Sequence, residues 1–208
     1  MAVDNKIEWN FNNTYLSLPN IMLSEQKPDI VEKPEVVIIN HALSKELGLN
    51  LLDLDDEYLA SVFSGNSLPA GSKTISMAYA GHQFGHFTIL GDGRAITIGE
   101  HVTQNNQGFE IQFKGSGKTK FSRDGDGKAA LGPMLREYII SEAMHYLNIP
   151  TTRSLAVIKT GEKVIRETEL KGAILTRVAT SHLRVGTFQY FAYKKDDTNL
   201  KTLINFTI

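Results

Sequence analysis

The chain has 208 residues, 41% hydrophobic and 22% charged, with a formal net charge of −1. That mix fits one globular domain, or one with a small extension, with enough residues to bury a core. Near neutrality gives no global argument for nucleic acid or a membrane as partner, and the lack of cysteine excludes disulfides and thiolate metal sites.

The start, MAVDNKIEWNFNNTY, has no positive stretch leading into an apolar one, so no secretory signal is expected. No run approaches the roughly 18 apolar residues that span a bilayer. Cytoplasmic is the expected location.

Residues 1–34 are Asn-rich and broken by Pro19, Pro28 and Pro34, and read as irregular. Residues 35–40 (EVVIIN) read as a strand, 41–54 as a short helix and a turn, 55–63 as a second helix, and 65–72 as a loop. Eleven of the 17 glycines then fall between Gly81 and Gly132, where the backbone most needs unusual dihedrals or close approach. Residues 94–101 and 109–114 read as strands joined by a polar turn. In the second, Phe109, Ile111 and Phe113 alternate with Glu110, Gln112 and Lys114. Residues 129–147 have helical periodicity, with Leu131, Leu135, Tyr138, Ile139 and Leu147 near one face. A hairpin is predicted around Thr160-Gly161, from strands 154–160 and 162–167, and another strand over 172–179. Strands, one main helix, then strands imply an α+β fold with an antiparallel sheet.

The string G-S-G-K-T at 115–119 suggests a Walker A loop, whose form is G-x-x-x-x-G-K-[ST]. Gln112 stands where the first glycine belongs, and a run of charges and glycines follows where a helix should open, so it is not one. The segment is still cationic: between residues 112 and 128, Lys114, Lys118, Lys120, Arg123 and Lys128 face only Asp124 and Asp126. Ammonium groups and exposed amides suit phosphate; a solvated loop is the plainer reading.

Lys114 ends a strand, and the helix after it carries Glu137. A strand lysine held by a helix glutamate is how kinase-like folds fix a lysine against nucleotide phosphates. Arg136 and Glu142 compete on the same helix, and an ordinary surface lysine is the alternative. His82 and His86 stand four apart, as helical metal ligands do, but Gly81 and Gly85 favour histidines hydrogen-bonded in a packed turn. Gly91-Asp92-Gly93-Arg94 reads as a tight turn, or as a turn placing Arg94 beside a phosphate. Arg177 and Arg184 can fork onto phosphate or pair with surface carboxylates. Phe188, Tyr190, Phe191 and Tyr193 read as core or lobe-interface residues.

Several strings taken together carry a resemblance: YAGHQFGHF (79–87), LGDGRA (90–95), IQFKGSGKTKFSRDGDGKAAL (111–131), REYIISEAMHYLNIPTTRSLAV (136–157) and LTRVATSHLRVGTFQYFA (175–192). With their order and spacing, the chain resembles the SelO/YdiU family of kinase-like protein adenylyltransferases. The resemblance implies a protein-kinase-like N-terminal lobe that binds ATP, or UTP, and transfers AMP or UMP to Ser, Thr or Tyr hydroxyls of proteins, with Mg2+ or Mn2+. It implies nucleotide binding by Gly91, Gly93, Arg94, Lys114, Asp126, Gly127, Arg177 and Arg184, with Glu137 orienting Lys114. It divides the chain into an extension packing on the lobe (1–76), the lobe (77–192) and the start of a second lobe (193–208). Nucleic acid and membrane are not expected partners.

The family often has proline and an aromatic after K-G-x-G-x-T, whereas this chain has Lys118 and Lys120 within K-G-S-G-K-T-K-F, and its helix entry is G-P-M-L-R-E in place of the commoner serine-rich one. The family's catalytic aspartate and metal ligands lie in strings not found here; they are expected downstream of Ile208. Two alternatives stand beside transfer: a truncated, inactive fragment that binds nucleotide or a partner, and a conventional kinase moving the γ-phosphate.

Overall fold

The protein is described from a computed structural model over residues 6–83 and 85–208. Residues 1–5 of the N-terminal reading and Phe84 of the G-H-Q-F-G-H string lie outside the described residues. The elements in chain order are β1 (Leu23–Glu25), β2 (Glu35–Ile39), α1 (His41–Glu46), α2 (Asp56–Ser64), β3 (Ile75–Gln83), β4 (His86–Gly91), β5 (Ala95–Val102), β6 (Gly108–Lys114), β7 (Ala129–Ala130), α3 (Leu131–Tyr146), β8 (Arg153–Ile165), β9 (Glu169–Ala179), α4 (Val185–Lys194) and α5 (Asp197–Thr207), with 3-10 turns at Thr14–Ser17 and Asn20–Met22. The fold is α+β with a large antiparallel sheet ordered β1-β3-β5-β6-β9-β8-β2; β4 extends from β3, and β7 pairs with β9. Both outer strands of that path come from the first 39 residues, so the N-terminal segment is part of the sheet.

Local chemistry explains the helices that flank it. Asp55 caps α2 by accepting the Tyr58 amide at 2.7 Å, acidic Asp56 and Glu57 face the positive helix end, and left-handed Gly65 stops it. Asn40 caps α1 through the Leu43 amide at 3.0 Å. Leu43, Leu47, Leu59 and Phe63 from this pair of helices pack with Ile111 and Phe113 of β6 and Ile174 and Val178 of β9. On the opposite side of the sheet, Met134, Leu131, Leu135 and Tyr138 of α3 pack on Val157, Ala173 and Leu175. A third cluster joins Tyr15, Leu18 and Met22 to Ile75 and Met77 of β3 and to Tyr190, Phe191 and Leu203 of α4 and α5.

Several sequence expectations are corrected. The hairpin at Thr160-Gly161 does not form: β8 runs straight through, with a bulge between Lys159 and Lys163, and the turn comes after Ile165. Gly161, at φ +76°, lets the strand bulge where Lys33 crosses it. The helix predicted from 129 starts at Leu131, because Ala129 and Ala130 bond to β9. Ile139 and Leu147 are exposed; the buried face is completed by Ser141 and Glu142. The segment 75–91 is a β-hairpin, which its glycines and histidines concealed.

Glu142 is the reason a charged residue replaces an apolar one on that face. It accepts from Arg153 Nε at 2.9 Å and Nη2 at 2.7 Å, from the Ser154 amide at 3.0 Å and from Asn40 Nδ2 at 2.7 Å. This ties α3, β8 and the cap of α1 together. Burial raises the carboxyl's pKa, but Arg153, the Ser154 amide and Asn40 outweigh it, so the net shift is downward. A folded pKa below the unfolded value means the contribution is complete at neutral pH and disappears as pH falls through the folded value. Glu142→Ala, which strands Arg153, is expected to cost about 3–5 kcal/mol in urea unfolding at pH 7. The gap to wild type should narrow as pH drops below about 4.

Candidate functional site

Strand β6 directs Glu110, Gln112 and Lys114 to the α3 side of the sheet. Lys114 Nζ is ion-paired with Glu137 Oε2 of α3. The other oxygen of Glu137 faces Arg177 Nη1 of β9 at 3.4 Å, and Arg177 Nη2 donates to Gln112 Oε1. Gln112 and Arg177 are register partners across β6 and β9, so sheet pairing places the arginine beside the lysine. Gln112 is thus a structural member of the cluster, beyond being the residue that breaks the Walker pattern. Burial lowers the Lys114 pKa, and Arg177 and Arg94 push the same way against the opposing effect of Glu137. Arg177 is also lowered by burial, and its Nε has no hydrogen-bond partner among the described residues.

The Gly91–Arg94 turn and the loop over residues 115–128 form one unit. Three successive turn carbonyls accept from the loop: Asp92 O from Thr119 Oγ1 at 2.7 Å, Gly93 O from Ser122 Oγ at 2.6 Å, and Arg94 O from the Gly115 amide at 2.6 Å. A Cβ on Gly93 would stand 2.8 Å from Phe121 O, so the glycine is what lets the two chains meet. The loop closes on itself through the Gly117 amide and Gly127 O at 3.2 Å. Gly127 adopts φ +70°, and a Cβ there would overlap the Gly117 carbonyl.

Turn and loop enclose a cleft of about 290 Å³. Gly91, Gly93, Arg94, Asp126 and Gly127 of the sequence-predicted set line it, and Arg166 and Tyr79 join them. The Arg94 side chain is exposed and makes no hydrogen bond or ion pair among the described residues. Arg184 lies over the Tyr79 ring, 4.3 Å from its centroid, and 3.5 Å from Asp92 Oδ1. Asp92 is buried, which raises its pKa against the pull of Arg184 and of the Met77 amide. Lys114, Glu137 and Arg177 do not line that cleft; Glu137 and Arg177 border a neighbouring hollow of about 340 Å³ with Ser141 and Ser154. The predicted residues therefore form two adjoining groups rather than one ring.

Sequence reasoning missed Asp92, Gln112, Tyr79 and Arg166 as members of the site. Only Asp92 and Gln112 carried a signal, as polar residues in an otherwise apolar or glycine setting.

The two histidines do not form a packed, hydrogen-bonded turn. They stand exposed at the turn end of the β3–β4 hairpin, His82 edge-on to Phe87. Strand pairing, in place of a helix, makes their four-residue spacing irrelevant to metal binding. Among the described residues no group of three or more His, Cys, Asp or Glu could hold a metal ion. Asp92 and Asp126 are each engaged by an arginine. Among the described residues, the donors of this site are cations and amides, which suit an anion. Among the aromatics, Tyr190 and Phe191 are buried, whereas Tyr193 is exposed against Phe87.

An antiparallel sheet bearing a cationic, glycine-lined cleft and a helix-pinned lysine is the arrangement expected of a phosphate-binding lobe. The chain belongs to the family described as protein adenylyltransferase SelO, whose model matches residues 5–208. It is 61% identical over 202 residues to a protein nucleotidyltransferase YdiU of Pelagibacter ubique, covering 97% of this chain and 42% of that protein. The proteins of the same name from Nitrosococcus oceani and Halalkalibacterium halodurans are 60% and 57% identical, over 97% and 98% of this chain and 41% of each relative. The chain thus spans about two fifths of the length of these curated relatives.

The loop crossing supplies a stability test. Gly48→Ala meets open space at φ +74° and isolates the dihedral penalty, about 1 kcal/mol or roughly 2–4 °C in melting temperature for this length. Gly127→Ala adds collision with the Gly117 carbonyl and is expected to lower the melting temperature at least twice as far, measured by circular dichroism.

Proposed function

We propose that this chain is the N-terminal, nucleotide-binding part of a protein-kinase-like nucleotidyltransferase, moving AMP from ATP to Ser, Thr or Tyr hydroxyls of proteins. UMP from UTP is the same reaction with another base. The observation that carries the reading is the Lys114–Glu137 pair, with Arg177 at its side, next to the glycine-lined cleft. The family membership supports it.

In such a transfer a hydroxyl oxygen attacks the α-phosphorus, the bond to the bridging oxygen breaks, and pyrophosphate leaves. Negative charge grows on the leaving group, so cations fixed around the β- and γ-phosphates favour the transition state over the bound substrate. Lys114, Arg94, Arg177 and Arg184 are proposed for that role. Glu137 holds Lys114 and Arg177 in place, and Gly91, Gly93, Asp126 and Gly127 shape the cleft. Mg2+ or Mn2+ is proposed to accompany the nucleotide, on ligands outside residues 1–208, as is the base that takes the hydroxyl proton.

The donors among the described residues, with no group of three or more His, Cys, Asp or Glu placed to hold a metal ion, favour a second statement about residues 1–208 alone: they bind nucleotide and turn it over little. Calorimetric titration with ATP and Mg2+ checks the binding, and substantial turnover by the 208 residues would refute the statement.

For the longer protein, label from α-labelled ATP is expected to appear on protein targets, and Lys114→Ala to reduce it at least 100-fold. Label arriving from the γ-position instead would assign a conventional kinase, and undiminished labelling by the variant would remove Lys114 from the mechanism.

A further inference from the structure

Arg166 sits at the turn between β8 and β9, 40 residues from the loop it contacts. Its Nη1 donates to Asp126 Oδ2 at 2.8 Å and to its neighbour Ile165 O at 2.6 Å. Its Nη2 donates to Asp126 Oδ1 and to Lys128 O, both at 2.9 Å. The guanidinium therefore grips the residues immediately before and after Gly127. A planar fork of fixed donors can do this; the single ammonium of a lysine cannot. A second bridge, Lys128 Nζ to Glu162 Oε2 at 2.5 Å, ties the same loop to the same hairpin.

We infer that Arg166 is a positioning residue of the cleft: it sets the peptide of Gly127 and neutralises Asp126, so that the loop accepts the phosphates of a nucleotide. The inference rests on the nucleotide reading above. Two observations support it. Gly127 lies against the Gly117 carbonyl at φ +70°, where the loop closes on itself, and Arg166 adds a hold on both of its neighbours from outside the loop. Asp126 lines the cleft, and a bare carboxylate there would repel a polyphosphate; Arg166 cancels that charge, and the Lys128 amide donates to Asp126 Oδ1 at 2.9 Å. Arg166 lines the cleft as well, so the cancelling charge is on the ligand's side. Its side chain is 40% exposed, so removing it leaves the core intact.

The test measures two things on the full chain: amide hydrogen exchange of residues 115–128 without ligand, and calorimetric affinity for ATP with Mg2+. Arg166→Ala is expected to raise exchange in that loop selectively and to weaken ATP about tenfold, with exchange elsewhere unchanged. Arg166→Lys, which keeps the charge and loses the fork, is expected to leave most of both defects. If lysine restores affinity and the loop never loosens, the residue acts as a distant charge and the inference falls. It falls equally if neither quantity moves in the alanine variant. If the loop loosens but wild type itself binds no ATP, the nucleotide reading fails while the clasp on the loop stands.

Discussion

The two faces of β6 constrain everything around the site. Ile111 and Phe113 must point into the apolar layer beneath α1 and α2, so Glu110, Gln112 and Lys114 must point the other way. That side is not a solvated sheet face, because α3 brings Glu137 to Lys114 and the segment after β9 brings His182 to Glu110. Glu110 and Gln112 are buried and Lys114 is half-buried, and each needs a partner. Glu110 takes the His182 ring and amide, Gln112 takes Arg177, and Lys114 takes Glu137. A one-residue slip of β6 would exchange the two sets and destroy core and cluster together.

Glycine does a different job on the other side of the cleft. The turn and loop meet by their backbones, with serine and threonine hydroxyls capping carbonyls that have no strand partner. Close approach at Gly93 and Gly127 is what makes room for those bonds. The density of glycine in this stretch therefore reflects backbone-to-backbone packing, and the resemblance to a Walker loop is incidental to it. The lysine with a defined place is Lys114, at the strand end; Lys118, which the Walker pattern would select, is exposed.

Elements governed by short-range alternation were legible in the sequence: β2, β5 and β6 fall within a residue or two of expectation. So did α2, whose cap, acidic first turn and terminal glycine are all local. What failed depended on tertiary context. Thr160-Gly161 carries turn chemistry, yet β9 continues to pair on both sides of it, turning a hairpin signal into a bulge. The periodicity of α3 could not say which of two apolar stripes faces the sheet, and Ile139 went to the wrong one. In the site, Lys114 and Glu137 were legible because strand end and following helix are neighbours in sequence. Arg184 and Asp92 are 92 residues apart and Arg166 and Asp126 are 40 apart, and no local pattern announces such pairs.

The charge balance of the cluster also bears on what it can bind. Glu137 is shared by Lys114 and Arg177, and Asp92 has Arg184, while Arg94 stands unpaired among the described residues. Two carboxylates thus face four cations. Burial and mutual repulsion hold Lys114 below the usual lysine pKa, which means its charge is less well stabilised than in water. Full pairing would make the cluster more stable but leave nothing for an anion to gain. Removing Glu137 would leave buried cations uncompensated, a larger cost than any single surface pair returns. On the proposed function, an incoming polyphosphate would complete the neutralisation and meet donors already oriented by Glu137, Gln112 and Asp92 instead of by water.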